Sequence, residues 1–162
     1  MRNHLLAGVA LAALAFGASA ASAQELMFKP GEDARFNWQS YEDFKAAHGD
    51  LKGQTLSIFG PWRGDDQVLV ESMLAYFKDA TGIVVNYASS ENYEQQIVID
   101  TEAGSPPNIA ILPQPGLIAD LAGKGLLTPL GAETEAWLGE NYAAGPSWVS
   151  LGTYKGKDGA PA

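Results

Sequence analysis

Between residues 54 and 130 the apolar positions alternate between short continuous runs and stretches with helical spacing. Residues 55–59 are a β-rich apolar run cut off by Gly60-Pro61, which predicts a strand and a turn. Asp65 or Asp66 can cap the next helix. In that helix Leu69, Met73, Tyr76, Phe77 and Ala80 recur on one face of a 3.6-residue period, and Gly82 supplies the stop. Residues 83–87 are nearly all apolar or β-branched, predicting a second strand buried on both faces. Asn92, three residues before Gln95, is placed to cap a third helix running through Ile97, Val98 and Thr101 to Gly104. Pro106-Pro107 prevents its continuation. Residues 109–112 predict a third strand, and Leu117, Ile118, Leu121 and Ala122 the inner face of a fourth helix.

The flanks carry weaker patterns. Residues 24–53 form an irregular leader in which Ser40-Tyr41-Glu42-Asp43 fits a capping box. Phe44, Ala47 and the helix-ending Gly49 then give one short helix. The aromatic group Phe36, Trp38, Tyr41 and Phe44 reads as a strap packed against the domain rather than a ligand platform. Beyond Leu130 the pattern predicts a helix over 133–142, an extended segment over 147–154 and a loop over 156–162. The first 23 residues have a different character: Arg2, an uncharged Leu/Ala-rich stretch over 5–16, and the small-x-small site Ala21-Ser22-Ala23 before Gln24. That is the pattern of a cleavable secretory signal. About twelve apolar residues are too few to span a bilayer core, which needs roughly twenty.

Strand, helix, strand, helix, strand, helix at this spacing implies βαβ units, hence an α/β fold with a parallel-rich sheet flanked by helices. Parallel strands send their following loops to one edge. Those loops span 60–65, 89–92 and 113–115, and they carry Trp62, Arg63, Asp65, Ser90, Glu91, Asn92 and Gln114. Carboxylates, amides and an arginine suit the hydroxyls of a sugar, and an aromatic ring suits its C–H face; concave sites combine these elements. Each residue has a plainer alternative. Asp65 and Asn92 serve equally as helix caps, Trp62 as a lid over the core and Arg63 as a solvated charge. Glu91 is the more informative residue, because no capping role obliges a carboxylate there.

Composition narrows the classes. Without residues 1–23 about 139 residues remain, the size of one ordinary domain. Loss of Arg2 moves the formal charge from −9 to −10. An acidic chain without a basic run argues against nucleic acid and against an anionic membrane as partner, since both call for Lys/Arg clusters. No cysteine is present, so disulfides and Cys-ligated metals are excluded, and neither a metal site nor a cofactor motif is expected. His48 beside Gly49 fits a surface residue near a helix end. There is no Gly-x-Ser-x-Gly elbow, and Gly60-Pro61-Trp62-Arg63-Gly64 lacks the Gly-Lys-Ser/Thr ending of a phosphate loop. Glu91 with Asp65 offers a glycosidase-like pair, but 19 acidic residues make such pairs easy to assemble by chance. The chain is therefore read as a non-enzyme, with a secreted glycoside hydrolase as the alternative.

Three phrases carry a resemblance. Residues 75–85, AYFKDATGIVV, are similar to the F-x-x-x-T-G-I-x-V phrase of bacterial extracellular solute-binding proteins of family 1. Pro107-Asn108-Ile109-Ala110, followed by Gly125-Leu126-Leu127-Thr128-Pro129-Leu130, resembles the family's next phrase; many members have Asp where this chain has Asn108. Gly60-Pro61-Trp62, residues 94–100 (EQQIVID) and Pro113-Gln114-Pro115-Gly116 resemble the α-glucoside-binding branch. The resemblance covers roughly residues 53–159. It implies a two-lobed protein of the type II periplasmic-binding-protein kind, monomeric and without a cofactor. Such a protein captures a sugar in the periplasm and delivers it to inner-membrane ABC permease subunits without itself inserting in the membrane. Family members are much longer. By that measure residues 54–162 are expected to be an incomplete amino-terminal lobe preceded by a leader over 24–53, with the second lobe absent and binding weak or lost. A non-functional fragment is the further alternative.

Overall fold

The computed structural model describes residues 26–143 and 145–161; the predicted signal segment over 1–23 lies outside them. In chain order the elements are α1 (Trp38–His48), β1 (Thr55–Phe59), α2 (Asp65–Thr81), β2 (Val84–Ala88), α3 (Tyr93–Glu102), β3 (Ile109–Ala110), α4 (Pro115–Gly123), α5 (Ala132–Asn141) and α6 (Pro146–Leu151). The three strands form one sheet in the order β2-β1-β3, with both pairings parallel. Parallel neighbours cannot be joined by hairpins, and α2 and α3 supply the crossovers. The predicted α/β class with a parallel sheet is what forms.

Register fixes the faces. Residues opposite one another in a parallel pair share a face, so Leu56, Ile58, Val85, Tyr87 and Ile109 lie on one side of the sheet. Ile58 and Val85 on that side are buried, as are Val70, Ala75 and Ala80 of α2, Ile97 of α3, and Leu121 and Ala122 of α4. The other side carries Thr55, Ser57, Phe59, Val84, Asn86 and Ala88. Phe59 meets Tyr93 of α3 edge-to-face at 6.2 Å, but Val84 stays 46% exposed. β2 is therefore buried on one face and not on both as its composition predicts. In a three-stranded sheet with few covering helices, β-branched residues satisfy strand geometry without being enclosed.

Several local expectations shift for identifiable reasons. Asn37 caps α1, its side-chain oxygen accepting from the Ser40 N–H. Ser40 is thus inside the helix and the Ser40–Asp43 capping box does not form; the helix starts early enough to place Trp38 among the aromatic rings. In α2 the N-cap is Gly64, with Asp65 and Asp66 in the first turn. Leu69 and Met73 are 56% and 65% exposed, whereas Tyr76, Phe77 and Ala80 face inward. Tyr76 and Phe77 are covered by Trp38, Tyr41 and Phe44 of α1, whereas in the first half of α2 Val70 is buried and the neighbouring Leu69–Met73 side is left open. Gly82 does stop the helix, at φ 75°, with its N–H on the Lys78 carbonyl.

β3 is two residues long rather than four, although the Ile111 N–H still donates to the Phe59 carbonyl at 2.9 Å; Pro113, lacking an N–H, ends the pairing. Asn108 seats the strand's entrance. Its Oδ1 accepts from both the N–H and the hydroxyl of Ser57, while its own N–H donates to Ser57 Oγ. Aspartate has the same oxygen, so either residue can fill this position. Residues 147–154 do not extend: Pro146 opens α6 and Gly152 closes it, proline at the first helical position being preset for the turn.

Candidate functional site

Parallel order brings the loops after β1, β2 and β3 to one edge of the sheet, and they do more than share it. The Gly60 N–H donates to the Ala88 carbonyl at 3.1 Å. The Tyr87 hydroxyl, at the end of β2, accepts from the Trp62 N–H at 2.9 Å and donates to the Trp62 carbonyl at 3.1 Å. Arg63 Nη2 donates to Glu91 Oε1 at 2.9 Å, and both side chains remain open to solvent at 47% and 77%. The β1–α2 loop is thus tied to β2 and its loop at three nearly successive residues.

The sequence-predicted residues divide accordingly. Arg63 and Glu91 meet directly, and Trp62, 37% exposed, precedes Arg63 in the same loop. Asp65 sits at the first position of α2 rather than at its cap. Asn92 and Gln114 occupy the N-cap positions of α3 and α4, yet neither side chain makes the capping bond, so among the described residues the amide of each remains available. Ser90 is half-buried in the β2–α3 loop. Beside it the Ser89 hydroxyl oxygen is shielded from solvent and has no hydrogen-bond partner among the described residues. Tyr87 was not a candidate from sequence; a tyrosine in a β-rich run carries no signal beyond strand propensity.

A second aromatic concentration lies elsewhere. A pocket of about 190 Å³ is lined by Phe36, Asn37, Trp38, Tyr41 and Tyr76, where α1 packs along α2. Its rings are 5.2–6.3 Å apart, Tyr41 meeting both Trp38 and Tyr76 edge-to-face. Their polar tips are all engaged. Tyr76 exchanges two hydrogen bonds with the backbone of Phe28, the Trp38 indole N–H donates to the Asp33 carbonyl, and the Tyr41 hydroxyl donates to Asp79. Lys45 reaches the same Asp79 oxygen at 2.6 Å. Burial and the Asp79 carboxylate push the Tyr41 phenol well above its ordinary range. Lys45 and then Tyr41 hold Asp79 below the usual carboxylate value. Aromatic tips that close on their own neighbours make a packing joint, in agreement with the strap read from the sequence.

Known proteins match this sequence. A model of the bacterial extracellular solute-binding protein family matches residues 60–156. The chain belongs to that family. Over 166 aligned positions it is 67% identical to the alpha-glucosides-binding periplasmic protein AglE of Rhizobium meliloti (strain 1021), an alignment covering 100% of this chain and 36% of that protein. It is also 37% identical over 101 residues to the osmoprotective compounds-binding protein GgtB of Synechocystis sp. (strain ATCC 27184 / PCC 6803 / Kazusa), with 56% of this chain and 24% of that protein covered. The chain therefore spans about a third of the length of the AglE relative. No helix among the described residues is long and apolar enough to cross a membrane.

Proposed function

We propose that this chain forms the amino-terminal part of a sugar cleft in the binding component of an ABC importer. In this reading it is exported to the periplasm by a signal cleaved after Ala23, takes up α-glucosides of the maltose, sucrose or trehalose type, and presents them to inner-membrane permease subunits. The observation that carries the proposal is the 67% identity along the whole chain to an alpha-glucosides-binding periplasmic protein. The geometry is what such a ligand calls for. Trp62 offers an aromatic face to pyranose C–H groups. Arg63, Asp65, Ser90, Glu91, Asn92 and Gln114 offer donors and acceptors at the same edge. An exposed ion pair contributes only about 0–1 kcal/mol to stability, so Arg63–Glu91 is better accounted for as a preset donor–acceptor pair for vicinal hydroxyls than as a structural bolt.

In this reading residues 54–162 supply one wall, and the facing wall comes from chain corresponding to the rest of the relative's length. Losing about 4 kcal/mol of contacts costs roughly a thousandfold in affinity, so the 162-residue chain by itself binds weakly or not measurably. The test is a chimera in which this chain replaces the matching stretch of the Rhizobium relative. Calorimetric titration with maltose, sucrose and trehalose is expected to give saturable heat with at least one sugar. A folded chimera silent with all three, beside a relative that binds, would sink the ligand assignment.

A further inference from the structure

We propose that Tyr87 is a positioning residue that holds Trp62 upright as the stacking wall of the site, and that Gly60 is glycine to leave room for it. The proposal rests on the sugar-cleft reading for the purpose of the wall, but the clamp itself is a property of the ligand-free chain. Tyr87 leaves the end of β2 on the same face of the sheet as Ile58 and Ile109, and its hydroxyl ends on the backbone of the neighbouring loop. One oxygen there serves as acceptor and donor to the two main-chain groups of a single residue, Trp62. That reciprocal pair fixes the peptide units on both sides of Trp62, and with them the direction in which its Cα–Cβ bond points. No helix or strand includes residues 60–64, so nothing in regular secondary structure would otherwise set that direction.

The space for the clamp comes from Gly60. A Cβ built there would lie 3.0 Å from the Tyr87 hydroxyl oxygen, 3.2 Å from its Cε2 and 3.3 Å from Ile111 Cδ1. The tyrosine is held at its tip by two hydrogen bonds and cannot move aside without straining them. A side chain at position 60 therefore obliges the Tyr87 ring to give by a few tenths of an ångström, which strains the clamp. The physical return is preorganisation: a ring already held in its binding orientation does not lose rotamer and loop entropy when a ligand stacks on it, a cost of about 0.5–1.5 kcal/mol per side chain otherwise. Tyr87 need not touch the ligand to determine its affinity.

The experiment labels the whole 162-residue chain with 5-fluorotryptophan. Its four tryptophans are assigned by single Trp→Phe substitutions and followed by fluorine NMR. Tyr87→Phe keeps the ring and its packing and removes only the clamp. The expected result is a shifted or broadened Trp62 resonance with Trp38, Trp137 and Trp148 unmoved. Gly60→Ala, which keeps the hydroxyl and denies it room, is expected to reproduce that change. A Trp62 resonance unchanged in Tyr87→Phe overturns the proposal, as does a change spread equally over all four tryptophans. In the chimera that supplies the facing wall, maltose at millimolar concentration is expected to move Trp62, with an apparent affinity about tenfold weaker in Tyr87→Phe. Equal affinities in the two chains overturn the proposal. If maltose, sucrose and trehalose all move nothing in a folded chimera while Tyr87→Phe still displaces Trp62, the clamp stands and it is the α-glucoside reading that fails.

Discussion

The chain carries two aromatic regions, and they differ in where their polar atoms point. At the α1–α2 joint, Trp38, Tyr41 and Tyr76 direct every hydroxyl and indole N–H to a partner within the chain. At the strand-end edge, Trp62 is held by its backbone while, among the described residues, Asn92 and Gln114 leave their amides uncommitted and the Arg63–Glu91 pair stands in solvent. A pocket of about 190 Å³ belongs to the first region. A cavity whose lining has spent its hydrogen-bonding capacity can offer a ligand only contact area; an open edge with unspent groups can offer selectivity as well. Aromatic content alone does not separate a joint from a site, whereas the bookkeeping of polar tips does.

Substitution should separate the two regions by what they perturb. The largest effect is expected at the joint. Trp38→Ala removes a ring packed against Phe36, Tyr41 and Tyr76 and frees the Asp33 carbonyl. Full burial would put the cost at about 3–5 kcal/mol; half-burial reduces it to roughly 2–3. Urea unfolding should show the lower midpoint, while sugar affinity in the chimera stays within about twofold of the unsubstituted value. A fall in affinity without a fall in stability would make the joint a ligand site and reverse the comparison.

Glu91→Gln should do the opposite. Hydrogen bonds to a charged group are worth about 1.5–3 kcal/mol, so sugar affinity is expected to drop roughly ten- to a hundredfold. The unfolding midpoint should barely respond, because the ion pair it breaks is exposed. Calorimetry of the chimera paired with thermal unfolding reads both quantities. Unchanged affinity with lost stability would make Glu91 a structural bolt after all.

The sequence displays those parts of this architecture that local chemistry decides. The β1 run over Thr55–Phe59, the Gly82 stop and the inward Leu117, Ile118, Leu121 and Ala122 of α4 all follow from spacing and backbone propensity, and so does the delivery of Trp62, Arg63, Glu91 and Gln114 to strand-end loops. Features set by lengths and neighbours are not written locally. Leu69 and Met73 belong to the apolar period of α2 and are left bare, whereas Tyr76 and Phe77 on the same stripe are covered by the rings of α1. Asn37 takes the cap from Ser40, and the earlier start brings Trp38 into α1 among the rings of Phe36, Tyr41 and Tyr76. α6 was hidden by β-favouring Trp148 and Val149, although Gly145-Pro146 held the opposite signal. Tyr87 is the clearest case. Its bond to Trp62 depends on a glycine one strand away, and nothing in the run Val84–Ala88 hints at it.

The smallest expected effect concerns the electrostatic half of the joint, where Asp79 accepts from Lys45 and Tyr41, with Glu42 and Tyr76 also acting on the group. The folded Asp79 carboxyl lies below its ordinary value of 3.8. Its contribution to stability is therefore complete above about pH 5 and is lost as pH falls through the depressed folded value. Lys45 is raised above its ordinary 10.5, chiefly by the same hydrogen bond, and Tyr41 is raised as well. Their contributions are complete below the unfolded values and lost only as pH rises through the folded ones. The joint should then add a constant stability across roughly pH 5–9. The amount is small, because the Lys45 and Asp79 side chains stay 42% and 43% exposed. The measurement is the difference in unfolding free energy between the unsubstituted chain and Asp79→Asn, which cancels the titration of the other carboxylates. That difference should be flat near neutrality and shrink towards zero below about pH 4. A difference that does not shrink at all as pH falls from about 5 to 2.5 would mean that Asp79 holds the strap through shape and neutral hydrogen bonds, leaving the aromatic rings as the sole basis of the joint's closure.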